Sequence, residues 1–199
     1  MNLENSALIG IVAGVINTAG LVPYIRDIFR HKTKPERAMW WIYCALFTLL
    51  FAAQAKAGAD WLLFVTASYV LSSTLIAILS LRYGYGSFHK RDFVSITIAT
   101  IGLILWLITD RPLVAILMVI IVDVAGFWLT LVKTWHAPHT ETLISWQLAF
   151  LAAFLSIFSI TTWSLDVVIY PLYAVSGNAL IVWLIMHRRK KVLKDPSDF

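Results

Sequence analysis

The chain is poor in charged residues and has almost no cysteine. Only 14% of its 199 residues are charged, 60% are hydrophobic, and the mean hydropathy is +0.79. A soluble domain is nearer a quarter charged, so this composition excludes one and predicts an integral membrane protein. The one cysteine, Cys44, excludes an intramolecular disulfide. It lies in an apolar run, where we expect it to act as a small buried hydrophobic residue.

Patterns that carry metal or catalytic chemistry are also missing from the sequence. There is no His/Cys/carboxylate spacing typical of a metal site, no glycine-rich phosphate loop, and no nucleophile–base pair in a catalytic context. The sequence therefore predicts no metal, no cofactor and no enzymatic activity. The net charge of +5 does not indicate nucleic-acid binding, because the basic residues are placed as membrane-topology signals.

Seven apolar segments are present, and each is close to the roughly 20 residues that cross a bilayer as a helix. They cover roughly residues 6–27, 38–57, 61–81, 93–109, 112–132, 142–162 and 166–186. The first segment lacks a basic flank and is long enough to span, so it does not resemble a cleavable signal. The predicted fold is all-α, with seven transmembrane helices.

The basic residues predict the orientation of these helices. Of the 16 Lys and Arg residues, all but Lys56 and Arg111 fall on one side of the predicted membrane. The positive-inside rule then places the N-terminus outside and the C-terminus in the cytoplasm, and we expect a bacterial inner membrane. The basic run at 188–191 is expected to anchor the last helix at anionic lipid headgroups.

The first three segments resemble the last three when the two halves are aligned. The aligned pairs are Asn17 with Asp123, Gly20 with Gly126, Trp41 with Trp146 after a one-residue gap, and residues 69–74 with 173–178. A single segment lies between the halves and inverts the chain once, so the two repeats have the same topology.

This alignment predicts a 3+1+3 architecture. The first three-helix repeat covers 1–82, a linker helix lies in 83–110, the second repeat covers 111–187, and a basic tail covers 188–199. Two parallel repeats imply a pseudo-twofold axis along the membrane normal, with a site between the units near the midplane.

The pattern resembles the SWEET and PQ-loop superfamily of small transporters. The resemblance rests on Asn17 with Pro23-Tyr24, on Asp123-Val124-Ala125-Gly126, and on the basic loop Thr33-Lys34-Pro35-Glu36. The Pro-Gln pair that names PQ-loop proteins reads Pro23-Tyr24 here. The resemblance implies seven helices that carry a small solute by alternating access.

Asp123 is the strongest candidate for a functional residue. It lies near the middle of the fifth segment, about 15 Å from either end of a spanning helix. A carboxylate there costs about 2.5 kcal/mol or more, so it should face protein or water and is a functional candidate by default. It can couple transport to a proton, a role that the resemblance supports, or bind a cationic group. The alternative is a packing hydrogen bond between Asn17 and Asp123.

Further substrate-binding candidates follow from the resemblance and the repeat. In SWEET-like proteins a pair of Asn residues contacts the substrate where this chain has Asn178 and Thr74. Gln54 stands where SWEET proteins carry a Trp. The other candidates are Asn17, Ser72, Ser176 and the matched aromatics Tyr69 and Tyr173. For the hydroxyl residues the alternative is a bond back to their own helix, and for the tyrosines it is core packing. Pro23 is either a hinge or a static bend.

The predicted function is a facilitator or proton-coupled carrier for a small polar solute such as a sugar, an amino acid or a vitamin. The partners expected are that solute and the lipid bilayer, with self-association into a homo-oligomer left open. The alternative is a receptor or sensor of the same fold that binds without transport. A retinal photoreceptor is excluded, because the last segment, 166–186, has no Lys to form a Schiff base.

Overall fold

The computed structural model describes residues 3–31, 35, 37–84, 90–136 and 138–194. Thr33, Lys34 and Glu36, which contribute to the resemblance, lie outside these ranges. All regular elements in the described residues are helical, as predicted. They are α1 (Leu3–Phe29), α2 (Arg37–Lys56), α3 (Leu62–Tyr83), α4 (Lys90–Thr109), α5 (Pro112–His136), a 3₁₀ turn (Pro138–Thr140), α6 (Leu143–Phe158) and α7 (Leu165–Lys194).

Five of the helices are long and apolar enough to cross a membrane, as judged over the described residues. They are Leu3–Phe29, Met39–Lys56, Leu62–Tyr83, Pro112–His136 and Leu165–Lys190. The helix α6 is apolar but shorter than the others. A multi-pass membrane protein is therefore confirmed at the level of helix length and composition, whereas spans at α4 and α6 stay predictions.

The last helix differs most from its predicted bounds, and α6 is shorter than predicted. The helix α6 ends at Phe158, four residues early, and the irregular stretch 159–164 follows it. The helix α7 continues to Lys194, so the segment predicted as a tail from residue 188 begins as helix. Arg188 and Arg189 explain the extension, because their side chains donate hydrogen bonds to carbonyls at the end of α5 and in the following turn. The three bonds are Arg188 to Trp135 (2.9 Å), Arg189 to Pro138 (3.1 Å) and Arg189 to Glu141 (2.6 Å).

Six of the helices form a closed ring. Neighbours follow the order α1, α3, α2, α5, α7, α6 and back to α1, and α4 packs outside the ring on α5 and α2. Large apolar side chains point outward, as Leu8, Val15 and Val22 do on α1. Helices that are apolar on every side suit a bilayer, where lipid and protein contacts are both apolar.

The helices α1 and α3 approach each other closely at two glycines of α1. A Cβ atom added at Gly10 would lie 2.4 Å from the carbonyl oxygen of Trp61, and one added at Gly14 would lie 2.8 Å from that of Phe64. Only glycine fits at these two positions. Small residues of this kind allow helix backbones to meet in membranes, where van der Waals packing drives association.

The main apolar core lies where α2, α5, α6 and α7 meet. Its fully buried members include Leu50, Ile116, Val119 and Ala153, and tyrosines of α2, α3 and α7 pack against it. The tyrosines of the site described next therefore pack against this core.

Candidate functional site

Asp123 lies on α5 and faces three tyrosines of other helices. It is half-buried, and its carboxyl group interacts with the hydroxyls of Tyr43 on α2 and of Tyr170 and Tyr173 on α7. Each hydroxyl can donate a hydrogen bond to a carboxylate oxygen. The Tyr173 oxygen is buried and lies outside ordinary hydrogen-bond geometry with any group among the described residues. The carboxylate therefore has three phenolic hydroxyls near it, and that of Tyr173 lies close without completing a hydrogen bond.

Gly126, one helical turn after Asp123, makes room for this arrangement. A Cβ atom added at Gly126 would lie 2.7 Å from the hydroxyl oxygen of Tyr43 and 3.6 Å from its Cζ. A contact of 2.7 Å is too short for a carbon atom, so an alanine here would displace the hydroxyl. The glycine is thus part of the site, since it lets Tyr43 reach the neighbourhood of Asp123.

The tyrosines belong to a longer series of aromatic rings, which we call the aromatic file. Its members in order are Tyr24, Trp40, Tyr43, Phe47, Tyr69, Tyr170 and Tyr173. The successive ring centroids lie 5.6, 5.9, 5.5, 5.4, 6.3 and 5.7 Å apart. These separations are those of interacting aromatic pairs. The file connects α1, α2, α3 and α7.

Two of the predicted site residues lie in contacts between neighbouring helices. The side-chain amide of Asn17 on α1 donates to the hydroxyl of Ser68 on α3 at 3.0 Å. The hydroxyl of Thr74 on α3 lies 3.2 Å from the sulfur of Cys44 on α2. Both contacts join helices that are already adjacent, and neither involves Asp123.

The polar residues predicted on α7 bond to their own helix. Asn178 donates to the carbonyl of Ala174 at 2.7 Å, and Ser176, which is exposed, bonds to that of Leu172 at 2.8 Å. This is the bonding that hydroxyl side chains often make in helices. Ser72 on α3 differs, because its buried hydroxyl has no partner within the described part of the chain.

Gln54 is fully buried between α2 and α3. Its side-chain oxygen accepts a hydrogen bond from the hydroxyl of Thr66, and its amide nitrogen has no partner among the described residues. The structure thus uses Gln54 in a buried polar pair rather than beside Asp123.

The predicted hinge, Pro23, is half-buried inside the continuous helix α1. A second proline, Pro171, lies buried inside α7 next to Tyr170. The sequence reasoning did not single out Pro171. Each proline removes one backbone hydrogen bond from its helix, which is a common cause of kinks.

Sequence reasoning missed Trp40, Tyr43, Phe47 and Tyr170 as members of the aromatic file beside the site. A signal was present: Trp40, Tyr43 and Phe47 recur at i, i+3 and i+7, which is one face of a helix. Tyr170 likewise stands three residues before Tyr173. Aromatic residues at helical spacing are common in any apolar core, so this signal becomes specific only beside a carboxylate.

Other features of the described residues offer less chemistry. No group of three or more His, Cys, Asp or Glu side chains is placed to hold a metal ion in the part of the chain that the structure describes. An open groove of about 410 Å³ lies between the start of α1 and the end of α6, with Leu3, Ser6, Ile157 and Trp163 in its lining. It is mostly apolar and does not include Asp123.

Comparisons with known proteins add no relative: no family model, no curated protein and no solved structure matches the chain. The resemblance to SWEET and PQ-loop proteins therefore stays a prediction, and the function is argued from the arrangement around Asp123.

Proposed function

We propose that the chain is a membrane transporter for a small polar solute, and that it works by alternating access between two three-helix units. The observation that carries the proposal is the mid-helix carboxylate of Asp123, which faces the hydroxyls of Tyr43, Tyr170 and Tyr173 where α2, α5 and α7 meet. An ionisable group at this depth is expensive, and such groups mark solute or ion pathways.

The order of helices in the ring supports two repeated units. In the first unit α3 lies between α1 and α2, and in the second unit α7 lies between α5 and α6. The units then meet along two seams, α2 with α5 and α1 with α6. Two parallel repeats around a pseudo-twofold axis would pack in this order.

Matched contacts at the two seams support the same arrangement. The alignment that pairs Trp41 with Trp146 also pairs Tyr43 with Leu148. At the α2–α5 seam, Gly126 faces the Tyr43 hydroxyl. At the α1–α6 seam, Gly20 faces Leu148, and a Cβ atom added at Gly20 would lie 3.4 Å from the Cβ atom of Leu148. Equivalent glycines therefore meet equivalent positions, but only one seam carries the carboxylate and the hydroxyls.

In this mechanism the two units rock against each other and expose Asp123 to one side of the membrane at a time. Thr161 follows α6 and Asp60 precedes α3. The Thr161 hydroxyl donates a hydrogen bond to the Asp60 carboxylate at 2.6 Å, which joins the two units at their predicted outer ends. Ser145 on α6 donates to the carbonyl of Gly20 at 3.1 Å on the α1–α6 seam. These bonds would break and re-form as the units move. Pro23 and Pro171 are the hinge candidates within the helices.

Uptake by purified protein in liposomes tests the proposal. The panel should contain sugars, amino acids, vitamins and small amines, each assayed with and without a pH gradient. We expect saturable uptake of at least one class, and Asp123→Asn should abolish any response to the gradient. No uptake across the whole panel would overturn a carrier. Saturable binding without flux would favour the alternative function, a receptor or sensor of the same fold. The sequence offers little for that alternative, because its loops are short and contain no evident signalling domain.

A further inference from the structure

Among the described residues, no Lys or Arg lies level with Asp123 along the helices. Each Lys and Arg that the structure describes lies in a loop or in the first or last two turns of a helix. The side chains that act on the carboxyl group are tyrosines, which can donate hydrogen bonds but carry no positive charge. The charge that balances the carboxylate must therefore come from outside the protein, as a proton or as part of a ligand.

Tyrosine side chains of two helices lie beside this carboxylate. The hydroxyls of Tyr43, Tyr170 and Tyr173 lie near it, and the ring of Tyr69 contacts that of Tyr170 at 6.3 Å. The face of an aromatic ring attracts an ammonium group, and the attraction increases when water is excluded. A carboxylate beside several tyrosine rings combines the two features that recognise an organic cation.

The three amide residues predicted for the site make their hydrogen bonds away from Asp123. Asn17 is bonded to Ser68, Asn178 to the carbonyl of Ala174, and Gln54 to Thr66. Amides, which donate and accept at once, suit a neutral polyhydroxylated solute. None of these three bonds involves Asp123, whose polar neighbours are tyrosine hydroxyls, and this favours a cation over a sugar.

The aromatic file also extends to both sides of Asp123. Tyr170 lies five residues after the start of α7, about 8 Å from its predicted outer end, whereas Tyr24 lies roughly 30 Å from the start of α1. Further aromatic side chains therefore lie on either side of Asp123 along the membrane normal. The buried Tyr173 hydroxyl, which has no partner in the described residues, offers a ligand one more polar contact.

We infer that the solute is a small organic cation whose ammonium group binds Asp123 within a cage formed by Tyr43, Tyr69, Tyr170 and Tyr173. The inference rests on the proposed function only in taking Asp123 as the solute site. It names the charge and the chemical class of the solute, which transport alone leaves open.

Binding of matched probes to the full chain in lipid nanodiscs tests the inference. Choline and tetramethylammonium carry a fixed positive charge, 3,3-dimethylbutan-1-ol is the neutral carbon isostere of choline, and ethanolamine carries a primary ammonium. At one fixed pH we expect saturable binding of the quaternary probes and at least 30-fold weaker binding of the neutral isostere. Ethanolamine separates a preference for alkylated cations from a preference for positive charge alone.

Variants assign the binding to the cage. Asp123→Asn and Tyr170→Leu should each weaken choline binding at least tenfold, whereas Tyr170→Phe, which keeps the ring, should stay within threefold. Glu4→Gln, at an exposed carboxylate in the first turn of α1, and Tyr83→Phe, at the far end of α3, are matched controls that should bind like the wild type. If Asp123→Asn does not fold, Tyr170→Leu compared with Tyr170→Phe carries the test.

Three results would overturn the inference: equal binding of the neutral isostere, no saturable binding of either quaternary probe, or full binding by Tyr170→Leu. These results are distinct from failure of the transporter proposal. Choline binding without flux would remove transport and leave the cation site. Uptake of a neutral solute that is indifferent to choline would leave transport and remove the cation site.

Discussion

At the scale of single residues, the site depends on one carboxylate and one absent side chain. Asp123 supplies the charge, and Gly126 leaves the space into which the Tyr43 hydroxyl fits. The matched glycine of the other seam, Gly20, meets an ordinary apolar contact with Leu148. The two glycines are equivalent in the sequence alignment, and the structure distinguishes what each one accommodates.

Gly126→Ala should destabilise the protein by roughly 1–3 kcal/mol, because its methyl group overlaps the Tyr43 hydroxyl. Adding Tyr43→Phe to Gly126→Ala removes that oxygen and should restore most of the loss. Unfolding in mixed micelles of lipid and denaturing detergent measures both effects. The control, Gly20→Ala, should change stability by less than about 1 kcal/mol. Equal losses at the two glycines, or no rescue by phenylalanine, would contradict the contact.

Asn17 should act in packing, through its hydrogen bond to Ser68. A double-mutant cycle of Asn17→Ala and Ser68→Ala should give a coupling energy of about 0.6 kcal/mol, since hydrogen bonds between membrane helices are modest. Solute affinity of Asn17→Ala should stay within twofold of the wild type. Zero coupling together with a large loss of affinity would instead support the substrate-binding role that the sequence predicts.

The sequence identifies Asp123, because a carboxylate in the middle of an apolar segment is rare and costly. It does not identify Tyr43 or Tyr170 as partners. In a helix that is apolar on every side, the pattern cannot separate a lipid-facing ring from an interior one. The pattern also does not predict how Thr74 and Asn178 are used. Their positions match in the repeat, but Thr74 contacts Cys44 on the neighbouring helix and Asn178 bonds to its own helix.

At the scale of helices, length and hydropathy predict where each helix lies but not where it ends or which helices are neighbours. The extension of α7 depends on Arg189 reaching the carbonyls of Pro138 and Glu141, which are 51 and 48 residues away along the chain. The early end of α6 is followed by Ser159, whose hydroxyl bonds to the carbonyl of Ser156. Such contacts between distant or irregular segments leave no periodic signal in the sequence.

Pro171→Ala tests whether α7 bends during transport. The proline denies its helix one backbone hydrogen bond, and alanine would restore it and stiffen the segment beside Tyr170. We expect solute affinity within twofold of the wild type and a rate of exchange in liposomes lowered several-fold. Pro23→Ala provides the matched change in α1. Unchanged exchange rates for both variants would leave the prolines as static bends.

At the scale of the whole molecule, the ring of six helices places the only mid-helix carboxylate of the described residues on one of two seams. The sequence alignment predicts the two units, and one of the aligned glycines, Gly20 or Gly126, lies at each seam. Orientation in the membrane rests on the distribution of basic residues alone, so it requires a direct test.

Cysteine labelling tests the predicted orientation, because Cys44 is the only cysteine. In a Cys44→Ser background, Trp163→Cys lies in the exposed stretch after α6, and Lys190→Cys lies near the end of α7. A membrane-impermeant maleimide added to intact spheroplasts should label the first variant only. Lys190→Cys should become labelled after the membrane is permeabilised. The reverse pattern would invert the topology.

Exchange of labelled solute across liposome membranes tests the central claim, that a small solute crosses the membrane by way of Asp123. Wild type, Asp123→Asn and Glu4→Gln should be compared at equal amounts of folded protein, with choline included in the panel. We expect saturable exchange of at least one solute by the wild type and Glu4→Gln, and at least a tenfold loss in Asp123→Asn. Exchange at the wild-type rate in Asp123→Asn, or no exchange of any solute, would contradict the claim.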